Sequence, residues 1–200
     1  VPYPDADVMH GGSRATKLEI ATDKSGNTTL LESGSLAWFI IDRNPRYGIR
    51  LRDYDHPAID EFHGIETFPA NRDWQIIAEF EAFDEPKELL IPTVVGTVEK
   101  NNCPGLLRFT VGGAEQELHP SEAEDGLFII FADETSGIET YGGGRFLYTD
   151  KPGEDGILSI DFNRAYNPPC AYTPFATCPL PPRENFLTVR IEAGEKFAGH

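Results

Sequence analysis

From residue 16 onward, apolar residues of this 200-residue chain recur mainly at every second position. That spacing restricts the fold more than any other feature, because side chains alternate between faces in a strand and not in a helix. In Asp73–Phe83, Trp74, Ile76, Ala78, Phe80 and Ala82 fall on one face and Gln75, Glu79 and Glu81 on the other, as in a strand with one buried face. Leu106–Val111 and Ala114–His119 flank Gly112-Gly113, the signature of a two-residue primed turn. That hairpin sets Arg108 opposite Glu117 and Leu107 opposite Leu118. Leu127–Ala132 is apolar on both faces and predicts a central strand. Ser35–Asp42 and Arg46–Asp53 predict a hairpin around Asn44-Pro45, and Phe186–Glu192 a last strand. Only His56–His63, with Pro57 suited to a first helical position, reads as briefly helical. The expected fold is mainly β: one antiparallel sandwich or barrel over residues 16–197, preceded by an arm, residues 1–15, that lacks apolar periodicity.

Charge narrows the partners. Thirty-three acidic residues against 17 basic ones give a net charge of −16, which disfavours nucleic acid and anionic membranes. No apolar run approaches the length of a membrane span. The acids are scattered through turns and strand faces, so they form a solvated surface and not an acidic tail. Among the cations only Lys17, Lys24, Lys87, Lys100, Lys151 and Lys196 are lysines. A surface rich in Asp and Glu and poor in Lys repels itself in dilute salt, whereas about 1 M salt shortens the Debye length to about 3 Å. A halophilic, cytoplasmic protein is expected, because no charged n-region followed by an apolar h-region precedes the strands.

One segment departs from a plain β domain. Leu158, Ile160 and Phe162 alternate with Ser159, Asp161 and Asn163, and the chain then enters residues 167–182, which hold six of its 16 prolines. An irregular connection this long inside a compact domain is usually functional or disordered, and Tyr172, Phe175 and Leu180 argue against disorder. The loop also carries Cys170 and Cys178. Three cysteines are an odd count for a disulfide framework, and the seven residues between this pair do not match zinc-site spacing. No metal is expected, Cys170 and Cys178 being the only candidates. A disulfide closing their loop would contribute about 2.6 kcal/mol on the chain-entropy model, although a reducing compartment opposes it. Buried thiols are the remaining reading, and no histidine near Cys170 supports a thiol nucleophile.

The runs Thr135-Ser136-Gly137, Glu139-Thr140-Tyr141-Gly142-Gly143-Gly144-Arg145-Phe146, Asp161-Phe162-Asn163-Arg164-Ala165-Tyr166-Asn167-Pro168-Pro169-Cys170, Cys178-Pro179-Leu180-Pro181-Pro182, Glu184-Asn185 and Ala193-Gly194-Glu195-Lys196 resemble the domain of unknown function family numbered 1684. The resemblance spans about Gly34 to Lys196. It implies a family found in archaea and bacteria, haloarchaea included, and carries no established activity.

The residues themselves suggest a site. Asp161 and Asn163 share a face, and Arg145 leaves the glycine turn on a neighbouring strand, where a guanidinium orients a ligand or anchors a loop. Arg50 and Arg52 share a face in the densest basic patch, Arg43–Arg52, and either bind an anion or pair with acidic neighbours. Tyr166, Asn167, Tyr172 and Asn185 are candidates to line a cleft with Arg164 and Cys170. The expected function is binding of a small polar or anionic molecule between the sheet and the 164–185 loop. An enzyme using Asp161 or Glu195 as base with Arg145 or Arg164 as stabiliser is the alternative, and a structural protein with a packed loop is the third reading. Gly142-Gly143-Gly144 lacks the GxGxxG spacing of a dinucleotide site, and no cofactor is indicated. The salt reading has a direct test: the melting temperature is expected to rise between about 0.1 M and about 3 M KCl, and unchanged stability would remove it.

Overall fold

The computed structural model describes residues 6–43 and 46–197. Residues 1–5 of the expected arm, the Asn44-Pro45 turn and His200 lie outside the described residues. The chain forms two compact units, Val1–Gly64 and Ile65–His200, so the expected 16–197 span runs across both.

The first unit is a five-stranded antiparallel sheet of β1 (Met9–His10), β2 (Ser13–Arg14), β3 (Leu31–Ser33), β4 (Leu36–Arg43) and β5 (Arg46–Asp53), ordered β2-β1-β3-β4-β5. The predicted β4–β5 hairpin is present, with Phe39 opposite Arg50 and Ala37 opposite Arg52. Part of the expected arm pairs as the β1–β2 hairpin. The helix in His56–His63 is one turn, Ala58–Glu61, with Pro57 at its cap.

The second unit holds two sheets. One is ordered β12-β6-β7-β8, from β6 (Gln75–Pro92), β7 (Val98–Val111), β8 (Ala114–Leu118) and β12 (Ile157–Asp161). The other is ordered β11-β10-β9, from β9 (Ser121–Ala123), β10 (Gly126–Phe131) and β11 (Arg145–Thr149). Side-chain bonds join their margins: Asn101 Nδ2 donates to Ser121 Oγ at 3.2 Å, and Thr149 Oγ1 to the Ser159 carbonyl at 3.4 Å. The antiparallel sheets curl as a half-barrel.

The β7–β8 hairpin has the predicted register, Leu107 against Leu118 and Arg108 against Glu117. Its turn needs positive φ at both central residues, and Gly112 and Gly113 have φ of 59° and 80°. Strand β10 is central, as its two apolar faces predict. Leu127, Ile129 and Phe131 join the main core with Leu107, Leu118, Leu158 and Ile160, while Ile130 and partly buried Phe128 join a second core with Leu89, Ile91, Cys103 and Phe146.

Two expectations are revised. Strand β6 continues beyond Phe83 to Pro92, and its pairing with β7 shifts between Ala82 and Lys87. Pairing advances from Ala82–Gly105 to Lys87–Cys103, so β6 takes five steps while β7 takes two. The three extra residues, an odd number, reverse which positions face inward. Ile76, Ala78 and Phe80 pack into the main core, Ala82 is exposed, and Phe83, Leu89 and Ile91 face the second core. The second revision is Phe186–Glu192, which is no strand. It keeps one parallel bridge, Phe186 to Ala132, and otherwise hangs on single contacts such as Leu187 N–H to the Ala132 carbonyl at 2.8 Å.

Candidate functional site

Arg145 begins β11, and its side chain is fully buried. The residue before it explains the placement. Gly144 has φ of 82°, and a Cβ there would lie 2.3 Å from Pro181 Cγ and 2.6 Å from the Phe131 carbonyl oxygen. Glycine thus lets the proline-rich loop seat against the chain entering β11. Arg145 Nη2 donates to Asp133 Oδ2 at 2.8 Å and to the Ile191 carbonyl at 3.0 Å. Its Nη1 donates to the carbonyls of Ala193 and Glu195, and the guanidinium carbon lies 5.2 Å from the centre of the Phe131 ring. Burial lowers the Arg145 pKa, and Asp133 opposes that shift. The carboxylate is also occupied, its Oδ1 accepting from the Thr135 amide and hydroxyl at 2.7 and 2.6 Å and from the Ile191 amide at 3.2 Å. Of the two roles expected for Arg145, the contacts are those of an anchor.

Other candidates are tied in the same manner. Asn185 is 1% exposed; it accepts from the His119 amide at 2.7 Å and donates to the carbonyls of His119 and Ile130 at 3.0 and 2.8 Å. Asn167 donates to Tyr172 Oη at 3.2 Å and to the Lys196 carbonyl at 2.9 Å, while its Oδ1 is buried without a hydrogen bond. Glu195 Oε2 accepts from the Asn167 amide at 2.7 Å and from Tyr172 Oη at 3.1 Å. Asp161 Oδ1 accepts from the Asn163 amide and Nδ2, and Asn163 in turn exchanges bonds with the Asn71 backbone. Tyr166 packs with Phe146 and Tyr148, and burial, seconded by Tyr148, pushes its hydroxyl pKa up to about 12. Among the described residues, no three His, Cys, Asp or Glu side chains form a metal-binding group.

The basic patch of the first unit is divided. Arg43 pairs with Asp23 at 2.7 Å, Arg52 lies 5.7 Å from the centre of the Phe39 ring, and exposed Arg50 forms no ion pair among the described residues.

In the second unit, a cleft of about 390 Å³ opens between the β9–β10 turn, the end of β11 and Arg164. It is lined by the polar groups of Glu124, Asp125, Tyr148, Asp150 and Arg164, together with Ala123, Gly126 and Thr149. Of the candidate residues named from the sequence, only Arg164 lines it; Asp161 and Glu195 do not. Arg164 is exposed and forms no ion pair among the described residues. Tyr148 is 51% exposed in a strand whose other residues are buried, and this outward aromatic was the missed signal. Glu124 and Asp125 occupy the β9–β10 turn and Asp150 follows β11, where acids resemble ordinary solvated residues. A broader groove of about 940 Å³ crosses β6–β8, but its cation, Arg108, is held by Glu81 and Glu117, each at 2.9 Å.

A family model described as "Protein of unknown function (DUF1684)" matches residues 60–196. The chain belongs to this family. The match begins 26 residues after Gly34, the start of the resemblance in sequence, and it takes in nearly all of the second unit. The chain is also similar to an uncharacterized protein of Haloarcula marismortui with a solution NMR structure, at 30% identity and a TM-score of 0.57, over 69% of this chain and 78% of that one. No curated protein matches it. Among the described residues, no helix is long and apolar enough to cross a membrane.

The buried ties separate anchors from surface groups by stability. Asn185→Ala orphans buried backbone groups and is expected to cost about 3 kcal/mol, whereas Tyr172→Phe, at a half-exposed hydroxyl, is expected to cost about 1 kcal/mol. Urea unfolding of the two variants checks this, and equal losses would contradict it.

Proposed function

We propose that this protein binds a small zwitterionic molecule in the cleft beside Arg164. The observation that carries the reading is the unequal charge of the lining: one arginine, without an ion pair among the described residues, in the same cleft as Glu124, Asp125 and Asp150. A guanidinium offers paired donors to a carboxylate or phosphate, and the three carboxylates favour an ammonium or other donor on the same ligand. Tyr148 supplies an aromatic face, and the volume lies within the range of small-molecule sites, about 300–1,000 Å³. A purely anionic ligand fits less well, because three acids repel it. The acidic, lysine-poor composition supports a salt-adapted cytoplasmic setting for this binding.

Thermal-shift titration with amino acids, their phosphorylated forms and related amines tests the proposal. A ligand at about a hundred times its Kd stabilises the folded state by about 2.7 kcal/mol. At least one zwitterion is expected to raise Tm in the native protein and to lose that effect in Arg164→Ala, whose own Tm stays close to native because the side chain is exposed. A shift that survives Arg164→Ala, or no shift with any compound, would overturn the reading.

A further inference from the structure

The cysteines of the proline-rich loop lie apart from that cleft. Cys103 is 1% exposed and its Sγ is bonded to the Gly105 carbonyl, with burial pushing its thiol pKa up. The other two approach each other. The Cys170 amide donates to Cys178 Sγ at 3.1 Å, and an amide nitrogen lies about 1.46 Å from its own Cα. Cys178 Sγ therefore sits within about 4.6 Å of the Cys170 Cα, so the second sulfur lies beside the backbone that carries the first.

We propose that Cys170 and Cys178 are an exchange-active dithiol that a small-molecule disulfide oxidises to an intramolecular disulfide. The two differ in access: Cys170 is half-buried and Cys178 is buried. Cys170 thiolate attacks one sulfur of the oxidant, forming a mixed disulfide and releasing one thiolate. Cys178 thiolate then attacks the Cys170 sulfur, closing the protein disulfide and releasing the second thiolate. Two protein thiols thus lose two protons and two electrons, and the oxidant's sulfur–sulfur bond is reduced to two thiols.

The surrounding structure holds both ends of the pair. The Val94 amide donates to the Cys178 carbonyl at 3.1 Å and the Leu180 amide to the Pro92 carbonyl at 2.7 Å. Tyr141 Oη donates to the Cys170 carbonyl at 3.3 Å. Pro168, Pro169 and Pro179 flank the two cysteines and fix backbone φ beside them. Between the cysteines lies Tyr172, which donates to Glu195, so the bond would brace the segment that ties the loop to the C-terminal strap, residues 187–197.

The test is equilibration of the full chain with mixtures of reduced and oxidised glutathione, acid quench, alkylation and peptide mapping. Under native conditions the expected product is a Cys170–Cys178 disulfide with Cys103 alkylated, half-formed at about tenfold lower oxidant than in urea. Cys178→Ser is expected to stop at a glutathione adduct on Cys170. Alkylation of all three thiols, bonding through Cys103, or no advantage over urea would overturn the proposal. The native-chain measurement decides it even where a variant does not fold.

Discussion

A fully buried guanidinium facing a fully buried carboxylate organises the second unit. Removing both charges from water costs several kcal/mol each, which their attraction offsets only when further hydrogen bonds occupy the remaining donors and lone pairs. Here they are nearly all occupied. Arg145 spends four of its five N–H groups, on Asp133 and on the carbonyls of Ile191, Ala193 and Glu195, leaving only Nε unbonded. Asp133 gathers Thr135 and the Ile191 amide on its other oxygen. The three carbonyl acceptors of Arg145 belong to a segment with no ladder of its own. The ion pair thus substitutes for the sheet that residues 187–195 do not join, and it presses Leu187, Ile191 and Ala193 into the main core.

Much of the fold was legible because its signals are local. Gly112-Gly113 sets the register of β7 against β8 through a turn that only two positive-φ residues make. The two-faced apolar run of β10 announced a strand covered on both sides. The parity change in β6 was not legible, since Asp84-Glu85-Pro86 reads as a polar strand end as readily as a bulge. Phe186–Glu192 misled for a different reason. Alternation records which face a side chain takes, and Leu187 and Ile191 do point inward, but it does not record whether a neighbouring strand receives the backbone.

The candidate site divides along the same line. Sequence motifs single out polar residues in unusual settings, and a buried tie looks like a binding group until its partners are known. Arg145, Asn163, Asn167 and Asn185 each bond to backbone elsewhere in the unit. Arg164, among these neighbours, is exposed on the cleft, beside acids that no sequence pattern marked. The runs that carry the family resemblance therefore include the residues that lash the loop and the C-terminal strap to the half-barrel. The cleft sits beside that framework.

The dependence of the strap on the guanidinium is measured most directly by native-state hydrogen exchange in Arg145→Lys. Lysine keeps the charge for Asp133 but lacks the planar fork that reaches three carbonyls as well. Each hydrogen bond from a charged group contributes about 1.5–3 kcal/mol, so losing two of those to the carbonyls costs about 3 kcal/mol or more. Amides of residues 187–197 are therefore predicted to exchange at least about a hundredfold faster than in the native chain, with the β7–β8 hairpin affected much less. Equal protection of the strap in both proteins, or uniform loss across the unit, would contradict the account.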